Sequence, residues 1–137
     1  MTAEEYLNQY RRAAAEVKHT LAEIERERQN LLGLRAIVYD DMPKSRDTER
    51  DLSAAYAVFE ERAAALRETV ERNAAIMADV EKTISRVKSP QQFAVLHMRY
   101  VEGLRWADIA KGMHRTRQAV YKIKRRALRT VRQILGG

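Results

Sequence analysis

The sequence predicts an all-α protein: a long antiparallel helical hairpin, forming a coiled-coil arm, followed by a small helix-turn-helix head. Three observations carry that prediction. The 137 residues include only two prolines and five glycines among abundant Ala, Glu, Arg and Leu, a composition suited to helices. Apolar residues recur at alternating three- and four-residue intervals through most of the first 88 positions, the period of a coiled-coil seam. The charge also changes abruptly. Residues 1–88 hold 15 Lys/Arg against 17 Asp/Glu, whereas residues 89–137 hold 11 Lys/Arg against only Glu102 and Asp108. The net charge of +7 thus originates in the last third of the chain, where the local net is +9. The division expected is an oligomerisation arm over 1–88 and a DNA-binding head over 89–137.

Thr2-Ala3-Glu4-Glu5 reads as a capping box, in which hydroxyl and carboxylate satisfy the first unpaired amides of a helix. Leu7, Tyr10, Ala14, Val17, Leu21 and Ile24 then supply a seam with a mean spacing near 3.5. The phase blurs from Arg28 to Leu34, and the helix is expected to end near Val38 or Tyr39. Asp40 to Asp47 forms the connector, because Pro43 lacks an amide donor and biases Met42 away from helix. Thr48-Glu49-Arg50-Asp51 is a second capping box with Asp in place of Glu.

The second helix is expected from about Asp51 to Val87. Its seam is Leu52, Tyr56, Phe59, Ala63, Leu66, Val70, Asn73, Met77, Val80, Ile84 and Val87. At about 1.5 Å per residue it would be roughly 55 Å long. Two helices with a short connector fold most simply as an antiparallel pair. Each stripe is narrow, so a second copy completing a four-helix bundle is expected, giving a homodimer. Asn73 on the seam either fixes register or is a tolerated polar residue.

The head begins at Ser89-Pro90-Gln91-Gln92, with Ser89 as N-cap, Pro90 at the first helical position and Gln92 completing the box. Phe93, Leu96 and Tyr100 share one face, and Gly103 ends that helix. A short helix from Trp106 to Met113 follows, then a turn, then a last helix from Arg117 to Leu135 capped by Thr116. Ile109, Ala110, Met113, Val120 and Ile123 would pack these two helices steeply, as in a helix-turn-helix. Val120, Ile123, Ala127, Val131 and Ile134 form the buried face of the last helix. His114 occupies the turn, where histidine tolerates a left-handed backbone better than most residues. Trp106 is expected as a core anchor rather than a stacking platform for bases.

A concentrated basic excess on a helix-turn-helix is a footprint for double-stranded DNA, since cations release counterions from phosphates. Helical spacing turns Gln118, Tyr121, Lys122 and Arg125 outward, with Arg117 alongside. Arg117, Gln118, Tyr121 and Lys122 are the expected base readers, and Arg115, Thr116, Lys124, Arg125, Arg126 and Arg129 the expected phosphate contacts. There is no cysteine, and His19, His97 and His114 are scattered, so no metal and no cofactor are expected. Glu60 and Glu61 fit a solvated helix face. No catalytic constellation is visible, and the chain is not expected to be an enzyme. No apolar run approaches the ~20 residues that cross a bilayer, and no leader pattern stands at the N-terminus; the expected setting is the cytoplasm.

The run Val95 to Leu104, then Trp106-Ala107-Asp108-Ile109-Ala110, Thr116-Arg117, Val120, Ile123 and Arg126-Ala127-Leu128-Arg129, resembles region 4 of bacterial sigma factors. That resemblance implies a helix-turn-helix that reads promoter DNA and a domain that also touches RNA polymerase. Carried over by position, it places base reading on Arg117, Gln118, Tyr121 and Lys122. His114 departs from a usual turn glycine and Arg115 from an aliphatic residue. Nothing upstream resembles the promoter-melting part of a sigma factor. A helical N-terminal region with such a head is similar to small phage regulators of late transcription, of the ArpU and RinA type. Met42-Pro43-Lys44 between two long helices agrees with that group. Two other readings compete: a small-terminase-like DNA-recognition subunit of a phage packaging machine, and a coiled-coil adaptor whose basic head binds an acidic protein.

Overall fold

Every described element is helical, in the order α1 (Ala3–Asp41), α2 (Arg46–Ser85), α3 (Pro90–Leu96), α4 (Trp106–Gly112) and α5 (Arg117–Ile134). The computed structural model describes residues 1–41 and 46–136. The expected connector residues Met42, Pro43, Lys44 and Ser45 lie outside them. Among the described residues no helix is long and apolar enough to cross a membrane.

The N-terminal capping box is present: the Glu5 amide donates to Thr2 Oγ1 at 3.1 Å, and the Thr2 amide to the Glu5 carboxylate at 3.2 Å. The second box is not. α2 starts at Arg46, with Asp47 and Glu49 in its first turn, so Thr48 lies inside the helix. Those acids complement the positive end of the helix dipole and favour the earlier start. α1 likewise runs past Tyr39, to Asp41.

The described residues divide into two units, one of residues 16–73 and one of residues 1–15 with 74–137. The second draws on both sides of the expected 88/89 boundary.

In the unit of residues 16–73, α1 and α2 run antiparallel. Arg62 pairs with both Glu23, at 2.9 Å, and Glu27, and Arg35 donates to the Tyr56 hydroxyl at 3.3 Å. Partner numbers thus fall on α2 as they rise on α1. Leu31, Leu52, Ala63 and Thr20 are buried. Every other expected seam position on this stretch of α2 is half-buried. On α1 the seam passes through Thr20, and Leu21 is 51% exposed, contrary to expectation. Adjacent helical residues point about 100° apart, and here the strip follows Val17, Thr20 and Ile24 rather than Leu21. Asn73 donates its side-chain amide to the Thr69 carbonyl, 2.9 Å away in its own helix, which satisfies it without a cross-helix partner.

The other unit has two cores. One joins Leu7 and Tyr10 of α1 and Val80 and Ile84 of α2 to Val87, Leu96, Tyr100, Ala127 and Val131. Tyr6 donates to the Asp79 carboxylate at 2.5 Å and lies 2.8 Å from the Thr83 hydroxyl. Tyr10 donates to Glu81 at 2.8 Å. Burial, reinforced by these carboxylates, raises both tyrosine pKa values above the ordinary range. The second core is Val95, Ile109, Ala110, Val120 and Ile123, with Met98, Trp106 and Met113 packed against it.

Ser89 caps α3, accepting from the Gln92 amide, and Pro90 stands in its first turn. The Gln92 side chain does not close a box; its oxygen accepts from the Thr130 hydroxyl of α5 at 2.7 Å. Phe93 is also placed differently from the expectation. It is 39% exposed and stacks on His97 with centroids 5.8 Å apart, while Val95 enters the core. α3 ends in a π-helical turn, His97–Val101, closed by the Glu102 amide on the His97 carbonyl at 2.9 Å. Gly103 then adopts φ +74°, and the Leu104 amide returns to the Met98 carbonyl at 2.9 Å. The left-handed backbone of this turn favours glycine; a Cβ there would displace only the flexible end of the Arg11 side chain.

Candidate nucleic-acid interface

The turn between α4 and α5 sets how the last helix is presented. His114 adopts φ +56°, the left-handed conformation expected of it. The His114 amide donates to the Lys111 carbonyl at 3.2 Å, and the Arg115 amide to Ala110 at 3.0 Å. Thr116 caps α5, its hydroxyl accepting from the Ala119 amide at 3.1 Å. With Ile109 and Ala110 of α4 packed on Val120 and Ile123 of α5, the first turns of α5 are fixed and their outer face is free.

That outer face carries Gln118, Lys122, Arg125 and Arg129 at spacings of four, three and four, all exposed. Val120, Ile123, Ala127 and Val131 are buried on the opposite side, so the core dictates the stripe. Arg115, Thr116, Arg117 and Arg126 are exposed as well. Among the described residues none of Arg115, Arg117, Lys122, Arg125, Arg126 and Arg129 pairs with a carboxylate. Unpaired exposed cations keep their full attraction for phosphate.

Two expected contact residues are held differently. The Tyr121 ring lies against Trp106, centroids 5.5 Å apart, and is 37% exposed. Its outer edge is offered from a fixed position. Lys124 is drawn inward: its ammonium lies 3.5 Å from the Glu4 carboxylate and 4.9 Å from the Trp106 ring centre, with 21% of the side chain exposed. A lysine satisfied by a carboxylate and an aromatic face is a poor phosphate ligand.

Trp106 packs on the second core, as an anchor should. It also receives Arg99, whose guanidinium carbon lies 5.0 Å from the ring centre, and Arg99 in turn donates to the Leu104 carbonyl at 3.0 Å. Each such cation–ring contact contributes about 0.5–1 kcal/mol at exposed sites. Reading the sequence alone did not find this cluster, because Arg99, Trp106, Tyr121 and Lys124 come from three elements with no common spacing. Glu4 was missed too. It accepts from the Tyr100 hydroxyl at 3.3 Å, and burial together with this carboxylate strongly raises the Tyr100 pKa.

A capped helix, exposed on one face and packed through the other on a short preceding helix, is a helix-turn-helix of the DNA-binding, transcription-regulator type. Residues 89–133 match the family model described as Sigma-70, region 4, and the head is similar to that region from Ser89 through the end of the contact stripe. No curated protein and no solved structure matches the chain.

Proposed function

We propose that this chain is a sequence-specific double-stranded DNA-binding transcription regulator that acts in phage or prophage late-gene control. The carrying observation is the exposed stripe on α5, with Gln118 and Lys122 on its first turns and Arg125 and Arg129 beyond them. Arg117, Gln118, Tyr121 and Lys122 read bases, and Arg115, Thr116, Arg125, Arg126 and Arg129 hold phosphates; Lys124 serves Trp106 and Glu4 instead. The head binds rather than catalyses. The late-gene assignment is supported by the resemblance of a helical arm plus region 4-like head to ArpU- and RinA-type regulators, and contact with RNA polymerase follows from the same resemblance.

If about six phosphates are held, log K should fall against log salt with a slope near −5, at about −0.9 per contact. Arg129→Ala should weaken binding to all sequences alike and flatten the slope by about one. Filter binding across a salt series measures both, and an affinity indifferent to salt would overturn the phosphate assignment. Genome-wide occupancy in the host tests the late-gene role. Sites upstream of structural and packaging operons are expected, whereas a single site within a packaging gene would favour the packaging-subunit reading.

The arm is proposed to pair two copies. Phe59, Leu66 and Val70 remain half-buried, and Leu34, Ile37 and Val58 are 46%, 57% and 65% exposed, more apolar surface than a solvated hairpin needs. Leu66→Asp with Val70→Asp should convert a dimer to a monomer by light scattering. A wild-type chain that stays monomeric at high concentration would remove the dimer.

A further inference from the structure

We propose that Arg86 and Lys88, in the link between α2 and α3, hold backbone phosphates of the same duplex that α5 reads. The inference rests on the DNA-binding function proposed above and adds a contact outside the segment that matches the family model. Val87 is buried at 5% exposure between the two cations, and both of them are exposed. The amides of Arg86 and Val87 donate to Thr83 and Ile84 at 3.1 and 3.0 Å. The link is therefore pinned at its centre, with a cation on either side. Neither Arg86 nor Lys88 pairs with a carboxylate among the described residues.

These cations border an open groove of about 470 Å³ whose other walls include Ser89, Gln92, Thr130 and Gln133. No acid lines it. Arg126, one turn before Thr130 on α5, leads from the contact stripe towards this flank. The cleft on the other flank of α5 is bordered by Arg125, Arg129 and Arg132 together with Glu4, which engages Lys124. Arg86 and Lys88 extend the basic surface of α5 on the opposite flank, beyond the residues of the helix itself. Over the distance of a side chain their attraction for phosphate is only partly screened at physiological salt, where the Debye length is about 8 Å. A phosphate strand held at Arg126 thus meets Arg86 and Lys88 next.

The test is salt-dependent duplex binding by the full-length Arg86→Ala/Lys88→Ala variant beside an Arg50→Ala/Arg67→Ala control, which removes two exposed arm cations. The link variant should melt like wild type and flatten the slope of log K against log salt by about two, at about 0.9 per contact. Its preferred sequence should be unchanged, because phosphates carry no base information. The arm control should keep the wild-type slope. Equal slopes for link variant and wild type would overturn the site, and equal flattening in both variants would reduce it to net charge. A wild-type chain that binds no duplex would instead overturn the parent function.

Discussion

Replacing Leu7 with aspartate is expected to unfold the DNA-binding head, although Leu7 lies far upstream of the segment that matches Sigma-70 region 4. Leu7 is fully buried, and it shares a core with Leu96 and Tyr100 at the end of α3 and with Ala127 and Val131 of α5. Removing such a side chain costs about 2–5 kcal/mol, and a carboxylate there adds a further penalty of several kcal/mol for losing water. Against a typical stability of about 5–15 kcal/mol, the sum is enough to lose the cooperative transition and duplex binding together. Leu21→Asp supplies the comparison, since Leu21 is on the same helix but 51% exposed; it should melt and bind like wild type. Circular dichroism melts and duplex binding on the two variants decide the matter. A Leu7→Asp protein with the wild-type melting temperature would show that α1 does not contribute to the head. By the same reasoning residues 89–137 should not fold alone, because Val131 and Tyr100 would lose the cover of α1 and α2.

The helices were legible in the sequence because α2 repeats its apolar residues without a slip, and because Ser89-Pro90, Gly103 and Thr116 punctuate the head. The structure puts caps at Ser89 and Thr116 and a left-handed glycine at Gly103. The contact stripe was legible for a related reason: once Val120, Ile123 and Ala127 are assigned inward, the helical period leaves no freedom for Gln118 and Lys122. Positions where two neighbours compete were not legible. Thr20 and Leu21 both fit a 3.5-residue period within error, and hydrophobicity selects the wrong one. At Phe93 and Val95 the larger residue looked like core, but the smaller one fills the space beside Ile109 and Ala110. Least legible was the use of the first turns of α1 by the head. A seam fixes which face is buried but not what lies against it, and Leu7 and Val80 pattern the same whether they close a coiled coil or cover α5.

The expected effect of Gln118→Ala on specificity follows from how firmly α5 is held. Gln118 stands on the first turn, opposite Val120 and Ile123, which are 1% and 7% exposed, and the Thr116 cap fixes where that turn begins. A glutamine amide can bond an adenine edge through both its oxygen and its nitrogen, and each such pair discriminates by about 1–3 kcal/mol, roughly five- to 150-fold. Truncation to Ala removes that bond but no charge and no buried surface. Preference should therefore relax at one or two base pairs, with non-specific affinity and salt slope unchanged. Ile123→Asp should differ in kind: a carboxylate forced between Ile109 and Val120 unfolds the head, and specific and non-specific binding disappear together. Selection from random duplexes with wild type and Gln118→Ala, beside melting curves for Ile123→Asp, separates the two effects. Identical motifs from wild type and Gln118→Ala would remove Gln118 from the base readers. If the wild-type chain selects no motif while still binding duplex, α5 clamps phosphates without reading bases, and the exposed stripe serves a non-specific or packaging role instead of transcription control.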